Sequence, residues 1–313
     1  MTRAFVFPGQ GSQAVGMGRE LAEAFPVARE VFQEVDDALS QKLSLLMAEG
    51  PEDELTLTEN AQPALMAVSL AVVRVLEREG GVDLAQAARF VAGHSLGEYS
   101  ALAAAGTFSV ADAARLLKIR GRAMQKAVPV GLGAMAALIG IELDAAREIA
   151  QAAAEGEVCE AANDNGGAQV VVSGHKGAVE RAMKIAAERG VKRAVPLPVS
   201  APFHCALMQP AAEAMAEALA TVTMHAPKVP VVANVTAAPV TDPAEIRDLL
   251  VRQVTGTVRW RECVLTMRDA GVVTLVELGS GKVLSGLARR IDKSLSGSAV
   301  GTPAEVEAFL AGL

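Results

Sequence analysis

Apolar positions along the chain follow two periods. Arg3–Phe7 holds the unbroken run Ala-Phe-Val-Phe, and Arg89–Gly93 repeats the pattern, as strands buried on both faces do. Between them lie a glycine-rich loop, Pro8–Gly18, and helical spacing over Val27–Ser40 and Asn60–Glu79, with Asn60 as the expected N-cap. After Gly93 the pattern breaks over His94–Gly97, then continues as an alanine-rich helix and a second helix over Ser109–Lys126. From Gly133 to Val195 it changes to strand (Ala134–Ile139), helix (Leu143–Ala154), strand (Val158–Ala162), strand (Gln169–Ser173), helix (Lys176–Arg189) and strand (Val191–Val195). This is the β-α-β-β-α-β order of a ferredoxin-like unit. A linker, Pro196–Pro202, then leads to helices near Leu207–Thr221, Pro243–Val254 and Trp260–Ala270, a strand at Val272–Leu278 and a Ser/Gly-rich bend at Ser294–Ser298. The expected organisation is one α/β domain built from residues 1–129 and 196–313, interrupted by the ferredoxin-like subdomain at 130–195.

Composition narrows the classes. A chain of 313 residues can bury a large core, and 51% of its residues are apolar. No run reaches the roughly 18 apolar residues of a membrane span. Met1–Phe7 lacks the layout of a secretory signal, so a cytoplasmic protein without membrane attachment is expected. A net charge of −7 argues against nucleic-acid binding, which needs a basic field. The cysteines Cys159, Cys205 and Cys263 are odd in number and far apart, which points to core residues and not to a disulfide framework or metal site.

Gly93-His94-Ser95-Leu96-Gly97 fits G-x-S-x-G, in which small flanking residues let a strand turn sharply into a helix and expose the serine hydroxyl. The expected strand before it and helix after it supply the context that the pentapeptide alone lacks. The helix N-terminus also favours developing negative charge near Ser95. A serine needs a base, and the histidines are His94, His175, His204 and His225. His94 leaves the turn in another direction, His175 precedes a helix, and His225 lies in a polar stretch. His204, in the apolar, proline-stiffened Ala201-Pro202-Phe203-His204, is the candidate, although the pattern alone leaves a structural role open.

Projecting Val110–Ala127 at about 100° per residue places Ala113, Leu116, Leu117, Met124 and Ala127 on one face, with Arg115, Lys118, Arg122 and Lys126 opposite. Arg120 falls in the middle of the apolar face. Such an arginine either snorkels or pairs structurally, or, downstream of an acylating serine, serves as a fork for a substrate carboxylate.

Two glycine-rich segments invite nucleotide readings and fail them. Gly9-Gln10-Gly11-Ser12-Gln13-Ala14 follows a strand, but no second strand ending in an acid follows about 20 residues on. In Gly279-Ser280-Gly281-Lys282, Val276 and Val283 replace the glycine and the Ser/Thr that a phosphate loop requires.

Phe7-Pro8-Gly9-Gln10-Gly11-Ser12-Gln13, Gly93-His94-Ser95-Leu96-Gly97-Glu98-Tyr99, Arg120-Gly121-Arg122-Ala123-Met124-Gln125 and Pro202-Phe203-His204 together resemble the bacterial malonyl-CoA:acyl carrier protein transacylases. The likeness runs through essentially the whole chain. It implies an α/β-hydrolase-like large domain with a ferredoxin-like subdomain, and ping-pong transfer of malonyl from malonyl-CoA to acyl carrier protein without metal or redox cofactor. Ser95 would be the nucleophile, His204 its base, and the N–H groups of Gln10 and Leu96 the oxyanion hole. Arg120 would hold the malonyl carboxylate, the Gln253 carbonyl would orient the histidine, and Met124 and Asn165 would line the pocket. Phe203 replaces the serine of some relatives, which is associated with malonyl over methylmalonyl. Ser280 replaces a frequent proline.

The same site could serve a polyketide pathway, or act as a thioester-cleaving serine hydrolase. A non-catalytic carrier-docking module would have no need of both Ser95 and His204. Two basic clusters on this acidic, expectedly monomeric protein could meet the carrier: Arg181, Lys184, Arg189, Lys192 and Arg193, and Lys282, Arg289, Arg290 and Lys293.

Overall fold

The computed structural model describes residues 2–313, so Met1 lies outside the described residues. The first strand, β1 (Arg3–Phe7), is followed by five helices: α1 (Arg19–Ala24), α2 (Pro26–Leu39), α3 (Leu43–Glu49), α4 (Glu52–Thr56) and α5 (Thr58–Arg78). After the short α6 (Leu84–Ala87) come β2 (Phe90–Gly93), α7 (Gly97–Ala104) and α8 (Val110–Ala127). β1 and β2 pair in parallel. Phe5 and Phe7 point into the core under α2 and α5, while Ala4 and Val6 face the opposite side, which explains the unbroken apolar run.

Residues 133–196 form a second sheet. Its elements are β3 (Gly133–Ile139), α9 (Leu143–Ala154), β4 (Cys159–Gly166), β5 (Gln169–His175), α10 (Lys176–Glu188) and β6 (Arg193–Pro196). The antiparallel order β4-β5-β3-β6, with α9 and α10 packed on one core, is the ferredoxin-like arrangement.

The chain then returns to the large domain through a 3-10 turn and α11 (Gln209–Ala220), β7 (Val231–Val232), β8 (Pro239–Val240), α12 (Pro243–Thr255) and α13 (Trp260–Asp269). It ends with β9 (Thr274–Leu278), α14 (Val283–Ile291), β10 (Ser296–Val300) and α15 (Pro303–Ala311). The large sheet runs β10-β9-β1-β2-β7-β8, parallel apart from the β7–β8 pair.

Several local expectations are corrected. Asn60 is no N-cap: α5 begins two residues earlier, with Leu57 in the capping position and no side-chain cap. Its side chain instead donates to the Glu54 carbonyl (2.9 Å) and accepts from Gln41 (3.0 Å) and Lys118 (2.8 Å). Lys118, assigned to the solvent face of α8, is buried, because α8 packs against α2 and α11 as well as α5. Its ammonium is met by Asn60, Gln41 and Glu59. Ser294–Ser298 is not just a bend: Ser296 opens the edge strand β10, which pairs with β9. The Gly279–Lys282 turn does lead into a helix, α14. However, the buried Glu277 carboxylate accepts the backbone N–H (2.8 Å) and hydroxyl (2.9 Å) of Ser285 in its first turn, so the chain supplies its own anion there.

Candidate active site

β2 ends against the start of α7 in a turn that only small residues permit. A Cβ on Gly93 would lie 1.9 Å from the Gly97 carbonyl, and one on Gly97 would lie 2.3 Å from the Phe7 carbonyl oxygen. Ser95, between them, is held at φ 54°, in the left-handed region. Gly9 brings the glycine-rich loop over the turn, since a Cβ there would meet the His94 carbonyl at 2.9 Å. Gly97→Ala is expected to destabilise the protein by about 3 kcal/mol, the upper end of the usual cost of overpacking, because the obstruction is backbone that cannot rotate away. Chemical denaturation measures this; a loss below about 1 kcal/mol would show that the turn relaxes.

The turn is braced from behind by Asn234. Its Oδ1 accepts the Ser95 N–H (2.8 Å) and its Nδ2 donates to the Gly93 carbonyl (2.7 Å). The N–H of Ser95 is therefore occupied. Those of Leu96 and Gln10 donate to no protein acceptor among the described residues, and both residues line the cleft with Ser95. A carbonyl oxygen next to Ser95 has these two donors open to it, beside the N-terminus of α7.

Ser95 Oγ is 2.7 Å from His204 Nε2. His204 Nδ1 is 2.9 Å from the Gln253 carbonyl, which can only accept, so Nδ1 carries the proton and Nε2 presents its lone pair to the serine. His204 is 4% exposed and has φ 56°. Burial, followed by the nearby Arg120 charge, pushes its pKa down to about 3, so the imidazole is a neutral base at working pH.

Arg120, 1% exposed, also reaches the serine: its Nη2 donates to Ser95 Oγ (3.0 Å) and to Gln253 Oε1 (2.9 Å), and Nη1 to Gln62 Oε1 (2.9 Å). The adjacent Gly121 makes this possible, because a Cβ there would lie 2.5 Å from Glu59 Cα, so α8 crosses the start of α5 at backbone contact. Arg120 Nε has no acceptor, and no carboxylate lies within ion-pairing distance, among the described residues. Burial weakens the guanidinium's hold on its proton. The first neighbours of this buried cation are amides, a hydroxyl and the Tyr99 ring, 5.7 Å away, with no carboxylate in direct contact among the described residues.

These groups open into a cleft of about 470 Å³ whose walls include Met124, Met135, Leu197, Val199 and Phe203. Ser95, His204, Arg120, Gln10, Leu96 and Met124 all line it, and Gln253 lies directly behind. Asn165 is a correction: it is not among the lining residues, and its Oδ1 is bonded to His94 Nε2 (2.8 Å), while His94, expected to leave the turn in another direction, and Asn163 both line the cleft. The irregular register of β4 around these residues separates their directions. Three contributors were not singled out from the sequence: Asn234, Gln62 and Glu98. Gln62 and Glu98 carry the signal that marked Arg120, a polar residue on an apolar helical surface. Asn234 carries none, since its role depends on a contact across 139 residues.

A strand-to-helix turn that exposes a serine, a neutral imidazole at hydrogen-bonding distance, two unpaired backbone donors and a buried guanidinium without a carboxylate in contact are the groups that acyl transfer through a serine would need, and they fit the acyltransferase class. A family model described as "Acyl transferase domain" matches residues 4–299. The malonyl CoA-acyl carrier protein transacylase of Escherichia coli K12 is 49% identical over 307 residues, 98% of each chain. That of Bacillus subtilis 168 is 46% identical over 305 residues, 97% of this chain and 95% of the relative. The solved acyl-carrier-protein-S-malonyltransferase of Bartonella henselae superposes with a TM-score of 0.97 at 60% identity, covering 100% of this chain and 99% of the other. A malonyl-transacylase solved in complex with a type II PKS acyl-carrier protein gives 0.96 at 44% identity, with 100% of both chains covered. The chain belongs to the acyl transferase family, in its branch of malonyl CoA-acyl carrier protein transacylases.

Proposed function

We propose that this chain moves the malonyl group of malonyl-CoA to the phosphopantetheine thiol of an acyl carrier protein, through a malonyl ester on Ser95, in fatty-acid synthesis. Ser95 Oγ attacks the thioester carbonyl as its proton passes to His204 Nε2, and the oxyanion is held by the N–H groups of Gln10 and Leu96. When the tetrahedral intermediate collapses, the C–S bond breaks and the coenzyme A sulfur takes the proton from His204. In the second half the carrier thiol gives its proton to His204, its sulfur attacks the ester, and Ser95 Oγ recovers a proton as it leaves. Every proton and charge has a protein group to meet it, so the reaction needs neither metal nor cofactor. We read the protein as a cytoplasmic monomer without nucleic-acid or membrane partners. Among the described residues, no helix is long and apolar enough to cross a membrane. The acidic carrier has exposed cations to meet in Lys184, Lys192, Arg193, Arg289, Arg290 and Lys293, whereas Arg181, Arg189 and Lys282 are engaged with Glu157, Glu148 and Glu305.

The observation that carries the malonyl assignment is the buried Arg120 guanidinium on the nucleophile, without a carboxylate in contact. Hydrogen bonds to charged groups contribute about 1.5–3 kcal/mol each, and breaking a buried pair costs about 3–5 kcal/mol. At about 1.4 kcal/mol per tenfold, Arg120→Ala is expected to lower kcat/KM for malonyl-CoA by roughly two to three orders of magnitude. Acetyl-CoA, which has no carboxylate, loses little or gains. Arg120→Lys rescues only in part, because an ammonium lacks the planar fork. An unchanged malonyl-to-acetyl ratio in Arg120→Ala would show that acyl selection lies elsewhere. In the same assay without carrier, coenzyme A release stops after one equivalent for a transferase and continues for a hydrolase. The 44%-identical neighbour bound to a type II PKS carrier favours a second reading, supply of a polyketide carrier, which a comparison of carriers separates.

A further inference from the structure

Behind the catalytic groups lies a second buried charge. Glu98, in the first turn of α7, is 2% exposed, and its Oε2 accepts the Asn234 N–H (3.0 Å) and a Gln253 Nε2–H (2.8 Å). The same Gln253 side chain accepts from Arg120 Nη2 through Oε1 (2.9 Å), while its backbone carbonyl accepts a hydrogen bond from the His204 Nδ1–H (2.9 Å). One amide therefore stands between a buried carboxylate and a buried guanidinium, its dipole aligned with both. Direct pairing would occupy Arg120; the spacing leaves the guanidinium open while keeping its counter-charge near. We propose that Glu98 is a positioning residue that sets the strength of Arg120 as a carboxylate receptor, and with it the preference for acyl groups that carry a carboxylate. This rests on the reading of Arg120 as the malonyl clamp.

Two negative charges then share one cation. An incoming malonyl carboxylate competes with Glu98 for Arg120, so it binds more tightly when Glu98 is protonated, and by reciprocity it raises the affinity of Glu98 for a proton. Burial already pushes the Glu98 carboxyl up to about 7, against the lowering effects of the Asn234 and Gln253 hydrogen bonds and Arg120. The other titratable groups facing it are Tyr99 on its own helix and Cys263 on α13, both pushed up by burial and hence neutral at working pH. Gln253 on α12 and Asn234 after β7 do not titrate. His204, depressed to about 3, also stays neutral at that pH.

The test is the acylation half-reaction, read as coenzyme A release in the first turnover, with malonyl-CoA and acetyl-CoA between about pH 6 and 8.5. In the unaltered protein KM for malonyl-CoA is expected to fall roughly tenfold towards the acid end. KM for acetyl-CoA, which shares the coenzyme A phosphates, does not follow. Glu98→Gln keeps an acceptor oxygen and should hold the low malonyl KM across the range, with the change in KM and not kcat. Glu98→Asp, still ionisable, should keep a pH-dependent malonyl KM. A residue that merely braced Asn234 and Gln253 would alter kcat or thermal stability without an acyl-dependent pH profile. The inference is overturned if malonyl KM is flat in the unaltered protein, or if its pH dependence survives in Glu98→Gln. An unchanged malonyl-to-acetyl ratio in Arg120→Ala overturns the clamp reading and this one together. A collapsed ratio there with an unaltered profile in Glu98→Gln overturns this one alone.

Discussion

Ser95→Ala is expected to abolish acyl transfer and leave the fold intact. The change deletes one oxygen, while the backbone features that shape the turn remain: the glycines at 93 and 97 and the Asn234 brace on the Ser95 N–H. The lost hydroxyl frees His204 Nε2 and one Arg120 donor, but both face the cleft, where water can replace it. Removing the nucleophile of a serine enzyme costs on the order of 10⁶-fold in kcat, and here the covalent route has no substitute, since Cys159, Cys205 and Cys263 are all buried. Intact mass after incubation with malonyl-CoA should show a malonyl adduct on the unaltered protein and none on Ser95→Ala, with superimposable thermal melts. Substantial residual transfer, or an adduct elsewhere, would remove the serine mechanism.

The elements most legible in the sequence are those whose neighbours impose one period. β1 and α9 have the expected boundaries, because β1 is apolar on both faces and α9 carries one apolar stripe against the second sheet. Ser95, His204 and Arg120 could each be singled out from a local contradiction: a glycine-flanked serine, a histidine in an apolar loop, an arginine on an apolar face. What joins them is not local. Ser95 Oγ and His204 Nε2 are 109 residues apart, and the Gln253 side chain touches Arg120, Glu98 and the Ser95 carbonyl at once. The misreadings share this cause. Lys118 is polar by composition but buried by the packing of three helices, and β10 is composed like a loop but stabilised by pairing with β9. Asn163 and Asn165 differ in role through the uneven register of β4 and β5, which no alternation rule anticipates.

His204→Ala is expected to slow acylation by roughly 10²–10⁴-fold, the usual worth of a positioned general base. It leaves the Gln253 carbonyl without its donor, so a modest loss of stability accompanies it. The pH dependence is the sharper readout. A histidine in water takes up a proton near pH 6.5 and would switch off as a base below it. With His204 depressed to about 3, no loss of rate from its protonation is expected between about pH 6.5 and 4. The same shift has an opposite consequence for stability. Between those two pKa values the unfolded chain binds a proton at this position that the native protein does not, so stability rises with pH through the window and falls on acidification. His204→Ala removes this contribution, and its acid unfolding below pH 6.5 should be less steep than that of the unaltered protein. The cause of the depression also bears on catalysis. After burial, its second source is the positive charge of Arg120, which a malonyl carboxylate held there, as proposed, would offset. On that proposal, binding malonyl is expected to raise the basicity of His204 at the moment the serine proton must move, whereas acetyl-CoA would leave the base depressed. Acylation by acetyl-CoA should then be slow in kcat as well as weak in KM, and Arg120→Ala should recover part of that kcat. If Arg120→Ala lowers acetyl kcat as severely as malonyl kcat, the guanidinium acts on the nucleophile directly and not through the charge it sets beside the histidine.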